Sequence, residues 1–152
     1  MKNNKYYRVY AEINLDAIVK NVDNLMALTK ENTGALAVVK ADGYGHGDVA
    51  VAKAVAQKVT GYAVATLDEA VNLRENGVKK PILVLGYVDP YEFDILVSHE
   101  ITATVFDVET AQLLADAARV QKKQAHCHIK VDTGMRRIGL EPDENGICLL
   151  YT

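Results

Sequence analysis

Hydrophobic residues recur along this chain in short continuous runs separated by stretches of helical spacing. Ile18, Val22, Leu25 and Met26 fall at i, i+4, i+7 and i+8, which predicts an amphipathic helix ending near Thr33-Gly34. Glu12-Ile13-Asn14-Leu15 before it reads as a short extended segment. Ala35 to Val39 is an unbroken apolar run, the pattern of a strand covered on both faces. Val51, Ala54 and Val55 mark a second helix, and Gly61-Tyr62-Ala63-Val64-Ala65 the next strand. Thr66-Leu67-Asp68-Glu69 is a capping box, with Thr66 as N-cap and Glu69 at N3. The helix it opens closes at Asn76-Gly77. Pro81 introduces the apolar strand Ile82-Leu83-Val84-Leu85, followed by a short helix around Tyr91 to Val97. Ile101 to Phe106 predicts a strand, and Asp107 caps a helix over Val108 to Arg119. Ala125 to Val131 then alternates strictly between apolar and polar.

Strand and helix in regular alternation predict an α/β domain with a parallel sheet. The order alone leaves open whether the sheet curves towards a barrel or is doubly wound and open. From Ala35 onward there are about five strands. The last of them divides cleanly: Ala125, Cys127, Ile129 and Val131 on one face, His126, His128 and Lys130 on the other. That polar face belongs either to an edge strand in solvent or to an inward wall around a polar site.

Composition narrows the class. The chain has 152 residues, 49% of them hydrophobic and 24% charged, enough for one domain with a real core. A net charge of −3 gives no reason to expect nucleic acid, and no apolar stretch approaches a membrane span. The basic start, Met1 to Arg8, is not followed by the hydrophobic segment of a secretory signal. Two cysteines, Cys127 and Cys148, make no disulfide framework, so a cytoplasmic location is expected. His126 and His128 lack the further ligands a metal would need, and no metal site is expected.

The chemistry concentrates in two blocks. Ala37-Val38-Val39-Lys40-Ala41-Asp42-Gly43-Tyr44-Gly45-His46-Gly47 places one lysine at the end of an apolar run, ahead of three glycines. A lysine there either extends to solvent or is partly desolvated, which favours the neutral, nucleophilic amine. Such an amine can form a Schiff base with an aldehyde cofactor, and the glycines allow backbone to approach an anion. Lys40 precedes the glycines and no Ser/Thr closes the loop, so a nucleotide-binding phosphate loop is a poor reading. The second block is Lys130-Val131-Asp132-Thr133-Gly134-Met135-Arg136-Arg137-Ile138-Gly139, about ninety residues on.

Together, in this order and at this separation, the two blocks resemble the motifs of the alanine racemase family, from about residue 9 to about 145. The resemblance implies a TIM-type (β/α)8 barrel, of which about five βα units are expected here, with the site at the C-terminal strand ends. It implies pyridoxal 5'-phosphate bound through Lys40, which also serves as the base on the D-alanine side, with Tyr44 on the phosphate. It places Arg137 near the cofactor and the substrate carboxylate, Met135 on that carboxylate, and Leu83 and Leu85 against the cofactor ring. Lys130 matches a lysine often carbamylated in the family, its charge holding Arg137. The implied activity is interconversion of L- and D-alanine for peptidoglycan, in a homodimer.

The resemblance also implies what to expect of residues 1–152 as a unit. They read as the N-terminal portion of the barrel domain, truncated near 146, with the family's C-terminal β domain and its opposing tyrosine base absent. The isolated chain is therefore expected to be inactive alone. The competing readings are a serine or broad-specificity amino-acid racemase, and a non-catalytic cofactor-binding remnant.

Overall fold

The computed structural model describes residues 9–143. Helix α1 (Leu15–Met26) starts where Asn14 Oδ1 accepts a hydrogen bond from the Ala17 amide at 3.0 Å. Leu15 is already helical, and Glu12 to Asn14 pair with no strand, contrary to the extended element expected there. The helix also stops well before Thr33-Gly34. Leu28 and Thr29 donate to carbonyls three residues back, and the Thr29 hydroxyl donates to Met26 O at 2.8 Å. Those tight local bonds compete with continued α-helix.

Strands β1 (Leu36–Val38), β2 (Gly61–Val64), β3 (Ile82–Val84), β4 (Thr102–Val105) and β5 (His126–Ile129) form one parallel sheet in the order β1-β2-β3-β4-β5. Between them lie the left-handed turn α2 (Lys40–Gly45) and helices α3 (Asp48–Ala54), α4 (Leu67–Glu75), α5 (Phe93–Ser98) and α6 (Val108–Gln121). A 3-10 turn over Pro90–Glu92 precedes α5. Strand order equal to chain order means every crossover runs the same way. A doubly wound sheet would reverse direction at a switch point. The sheet is therefore singly wound, the arrangement of a barrel wall, and the alternative left open by the sequence pattern is removed.

Register separates the two faces. Val38 sits opposite Ala63, Ala63 opposite Leu83, Leu83 opposite Thr102, and Thr102 opposite His126. Residues in register share a face. Their neighbours Tyr62, Val64, Ile82, Val84 and Val105 pack with Val55, Leu73, Leu96 and Leu114 of the helical layer. Tyr62 marks that layer by donating its hydroxyl to Ala52 O of α3 at 2.7 Å. The core thus lies between sheet and helices. The opposite face carries Leu36, Val38, Ala63, Leu83, Thr102, Thr104, His126 and His128, and is called inner below.

β2, β3 and β4 are buried throughout, whereas β1 and β5 are the sheet edges. The run Ala35 to Val39 is not covered on both faces as its pattern predicts. Val39 is buried on the helix side, but Leu36 and Val38 are each 42% exposed. Among the described residues no second layer crosses the inner face at this edge. Uninterrupted apolar character recorded the requirement for two coverings and could not say whether both are present.

Candidate active site

Lys40 follows β1 by two residues, in step with Leu36 and Val38 on the inner face. Its side chain is half-buried, and among the described residues its Nζ has no hydrogen-bond or ion-pair partner. The chain then turns with the uncommon hand. Ala41, Asp42, Gly43 and Tyr44 have φ values of 52°, 53°, 59° and 56°. Left-handed backbone costs a non-glycine residue roughly 1–2 kcal/mol, and three of these four carry a Cβ. Such a turn persists only where its surroundings over-determine it.

They do so from several sides. Gly43 N donates to Val39 O at 2.9 Å, and Gly47 N to Asp42 O at 2.8 Å. Asp42 Oδ1 accepts from Asp48 N at 3.1 Å, and His46 Nδ1 lies 3.1 Å from both Gly43 O and Tyr44 O. At Gly43 a Cβ would crowd Asp48, standing 3.2 Å from its N and 3.3 Å from its Cα. Helix α4 reaches over from the next strand. Glu69 accepts from Ala41 N at 2.7 Å through one oxygen, and from Ala65 N at 2.7 Å and Thr66 N at 3.3 Å through the other. Three residues on, the Asn72 amide donates to Asp48 Oδ2 at 2.9 Å. The capping box over 66–69 forms as its sequence predicts, and its glutamate also ties the ends of β1 and β2 together. Tyr44, on this turn, is exposed.

The inner face supplies a wall beside Lys40. Leu83 is buried on it, and Leu85 continues the same alternation beyond β3. From the far edge, Lys130 extends β5 by donating its amide to Val105 O at 2.8 Å. Its Nζ crosses β4 to approach Leu85 O at 3.4 Å. Lys130 therefore shares the inner face with His126 and His128, one of the two options that its alternation allowed. The opposite face of β5 lies towards α6, where Cys127 and Ile129 line an apolar hollow with Ala111 and Ala115.

The second block is a closed loop. Leu140 N donates to Lys130 O and Asp132 N to Leu140 O, both at 2.8 Å. Within it, Asp132 Oδ1 accepts from Gly134 N at 2.8 Å and Arg136 N at 3.0 Å. The Arg136 and Gly134 amides hold its carboxyl below the usual carboxylate range, with the Arg137 and Met135 amides adding to the effect. The loop thus turns its backbone donors onto its own aspartate, the Met135 amide among them. Met135 and Arg137 are exposed, and no hydrogen bond or ion pair joins Arg137 to Lys130 among the described residues. The structure brings Lys40, Leu83, Leu85 and Lys130 to one face. Arg137 and Met135 stand on the loop that follows Lys130, both exposed.

A singly wound parallel sheet with a lysine at the C-terminal end of its first strand is the wall of a barrel-type α/β domain. The family described as alanine racemase, N-terminal domain, matches residues 13–149, and the chain belongs to that family. It is 43% identical over 151 residues to alanine racemase 1 of Oceanobacillus iheyensis, covering 99% of this chain and 40% of that one. It superposes on the solved alanine racemase of Clostridium difficile 630 with a TM-score of 0.93 at 40% identity, covering 97% of this chain and 39% of that structure. A histidine racemase from Leuconostoc mesenteroides subsp. sake matches with a TM-score of 0.81 at 28% identity, covering 90% and 37%. The chain thus spans about two fifths of the length of these relatives. Among the described residues no helix is long and apolar enough to cross a membrane.

Proposed function

We propose that this chain carries the lysine half of an amino-acid racemase site, with alanine as substrate and pyridoxal 5'-phosphate as cofactor. The observation that carries the reading is Lys40 itself. An amine without a partner among the described residues, half-buried at a C-terminal strand end on the same face as Leu83 and Leu85, suits an aldehyde-bearing aromatic ring. When bound, the cofactor supplies an electron sink for the charge left by a departing α-proton. Lys40 would anchor the group through Nζ, then take or return the proton at Cα from one side. The Tyr44 hydroxyl would reach its phosphate. Arg137 and the Met135 amide would hold the substrate carboxylate, for which a planar, permanently charged guanidinium is suited. Lys130, carbamylated or not, would set the charge beside them.

Racemisation needs a second base on the opposite side of the α-carbon, and Lys40 serves only one. The complete activity would belong to a homodimer in the bacterial cytoplasm that supplies D-alanine to the cell wall. The similarity to a histidine racemase favours a second reading, an amino-acid racemase with a different side-chain preference on the same anchor. The test is to incubate the chain with pyridoxal 5'-phosphate, reduce with borohydride and map the modified lysine. The expected result is one adduct at Lys40, lost in Lys40→Arg. Labelling spread over exposed lysines, with none at Lys40, overturns the proposal. Exchange of the α-proton in deuterated water, compared for alanine, serine and histidine, discriminates between the two readings.

A further inference from the structure

We infer that Glu69 is the positioning residue for Lys40, an inference that rests on Lys40 being the cofactor anchor. The peptide unit joining Lys40 to Ala41 is planar, so fixing the direction of the Ala41 N–H fixes the rotation of that plane about the Lys40 Cα. Glu69 fixes it. Its Oε1 accepts the Ala41 amide at 2.7 Å, across 28 residues of sequence, while Oε2 accepts the amides of Ala65 and Thr66.

A capping glutamate needs only the N-cap amide. The bonds to Ala41 and Ala65 are additional, and both are charge-assisted. They join the C-terminal ends of β1 and β2 through one carboxylate. Ala41 is also the first of the left-handed residues and has φ 52°, so the bond acts where the backbone departs from β1. Asn72, one turn further along the same face of α4, secures the other end of the turn through Asp48. Helix α4 thereby presents Glu69 and Asn72 as a two-point brace. Among the described residues the side chain of Lys40 is left without a bond of its own, and its direction comes from the backbone that Glu69 holds.

Glu69→Gln separates this role from capping. A glutamine at N3 still completes a capping box, but its single acceptor oxygen cannot serve Ala41 and Ala65 together, and its amide would face one of them donor to donor. Thr66→Val is the converse control: it removes the capping hydroxyl and leaves the bond to Ala41. Two measurements are made on the full chain, with circular dichroism confirming the fold. Amide hydrogen exchange without cofactor should rise about tenfold or more at Ala41 and Gly43 in Glu69→Gln, the loss expected for a charge-assisted hydrogen bond. Borohydride trapping with pyridoxal 5'-phosphate should then show labelling at Lys40, relative to exposed lysines of the same molecule, about tenfold lower, as misplacement of a reacting group predicts. Thr66→Val should match the native chain in both. Exchange and labelling unchanged in Glu69→Gln overturn the inference. So does a Thr66→Val chain that behaves like Glu69→Gln, because Glu69 is then only a cap. If the native chain takes no label at Lys40, the cofactor reading fails separately. The exchange arm still decides whether Glu69 holds the turn.

Discussion

Single residues carry more in this chain than their sequence patterns disclose. Asp132 sits in a block noted for its lysine and arginine, yet its carboxylate orders the turn inside the closed loop, by accepting backbone amides from Gly134 and Arg136. Those donors favour its charged form and lower its pKa from the ordinary 3.8. A depressed carboxyl contributes order above its unfolded pKa, and that contribution is lost as pH falls through the lower, folded value. The turn over 132–136 should therefore hold through neutral and mildly acid conditions and loosen only as pH falls below the ordinary aspartate range. NMR titration of the Gly134 and Arg136 amides checks this: both should shift together, with a midpoint below 3.8, and Asp132→Asn should abolish the transition. A midpoint above that value would contradict the role given to the amides.

At the scale of elements, helix α4 organises both ends of the sheet. Its first turn braces Lys40 through Glu69. Its last turn places Arg74, whose guanidinium donates to His99 O at 2.9 Å, Val78 O at 2.6 Å, Lys80 O at 3.1 Å and Glu100 O at 2.9 Å. These carbonyls lie in the segments leading into β3 and β4. Burial lowers the Arg74 pKa, against the charge of Glu100, but the guanidinium stays protonated. Arg74→Met should leave those carbonyls without their donor and cost about 3 kcal/mol by denaturant unfolding. Lysine, a point donor without the planar fork, should recover only part of that. Retained stability in Arg74→Met would show that water replaces the guanidinium. Neither duty of α4 was visible in its sequence. The pattern Thr66-x-x-Glu69 announced a cap and Asn76-Gly77 the helix end, because both depend on neighbours within a turn or two. The partners of Glu69 at Ala41 and of Arg74 at His99 are 28 and 25 residues away.

For the whole molecule, the balance lies between a buried sheet centre and exposed sheet edges. Buried side chains from β2, β3 and β4 meet the helices, while β1 and β5 are paired on one side only among the described residues. Leu36, Val38, Ile129 and Val131 are exposed at those edges. Unpaired edges carrying apolar residues invite pairing with other chains. The isolated 152-residue chain should therefore associate as its concentration rises. Sedimentation should show weight-average mass climbing with concentration, and Ile129→Lys should return it towards the monomer. A single monomeric species across the range would refute this.

What the amino-acid sequence determined by itself was whatever local spacing controls: the alternation of strands and helices, the caps at Thr66 and Asp107, the two-faced strand from Ala125, and the two blocks that identify the family. The end of α1 was the exception, where hydroxyl and turn bonds stopped the helix short of its glycine. Only the tertiary structure decided that the sheet is singly wound, that Lys130 shares a face with Lys40, and that Lys40 leads into a left-handed turn held by Glu69. Each of these depends on which strand lies beside which. Hydrophobic burial is non-directional, so an apolar run records that a residue is to be covered, and the hydrogen-bonded register alone records by what.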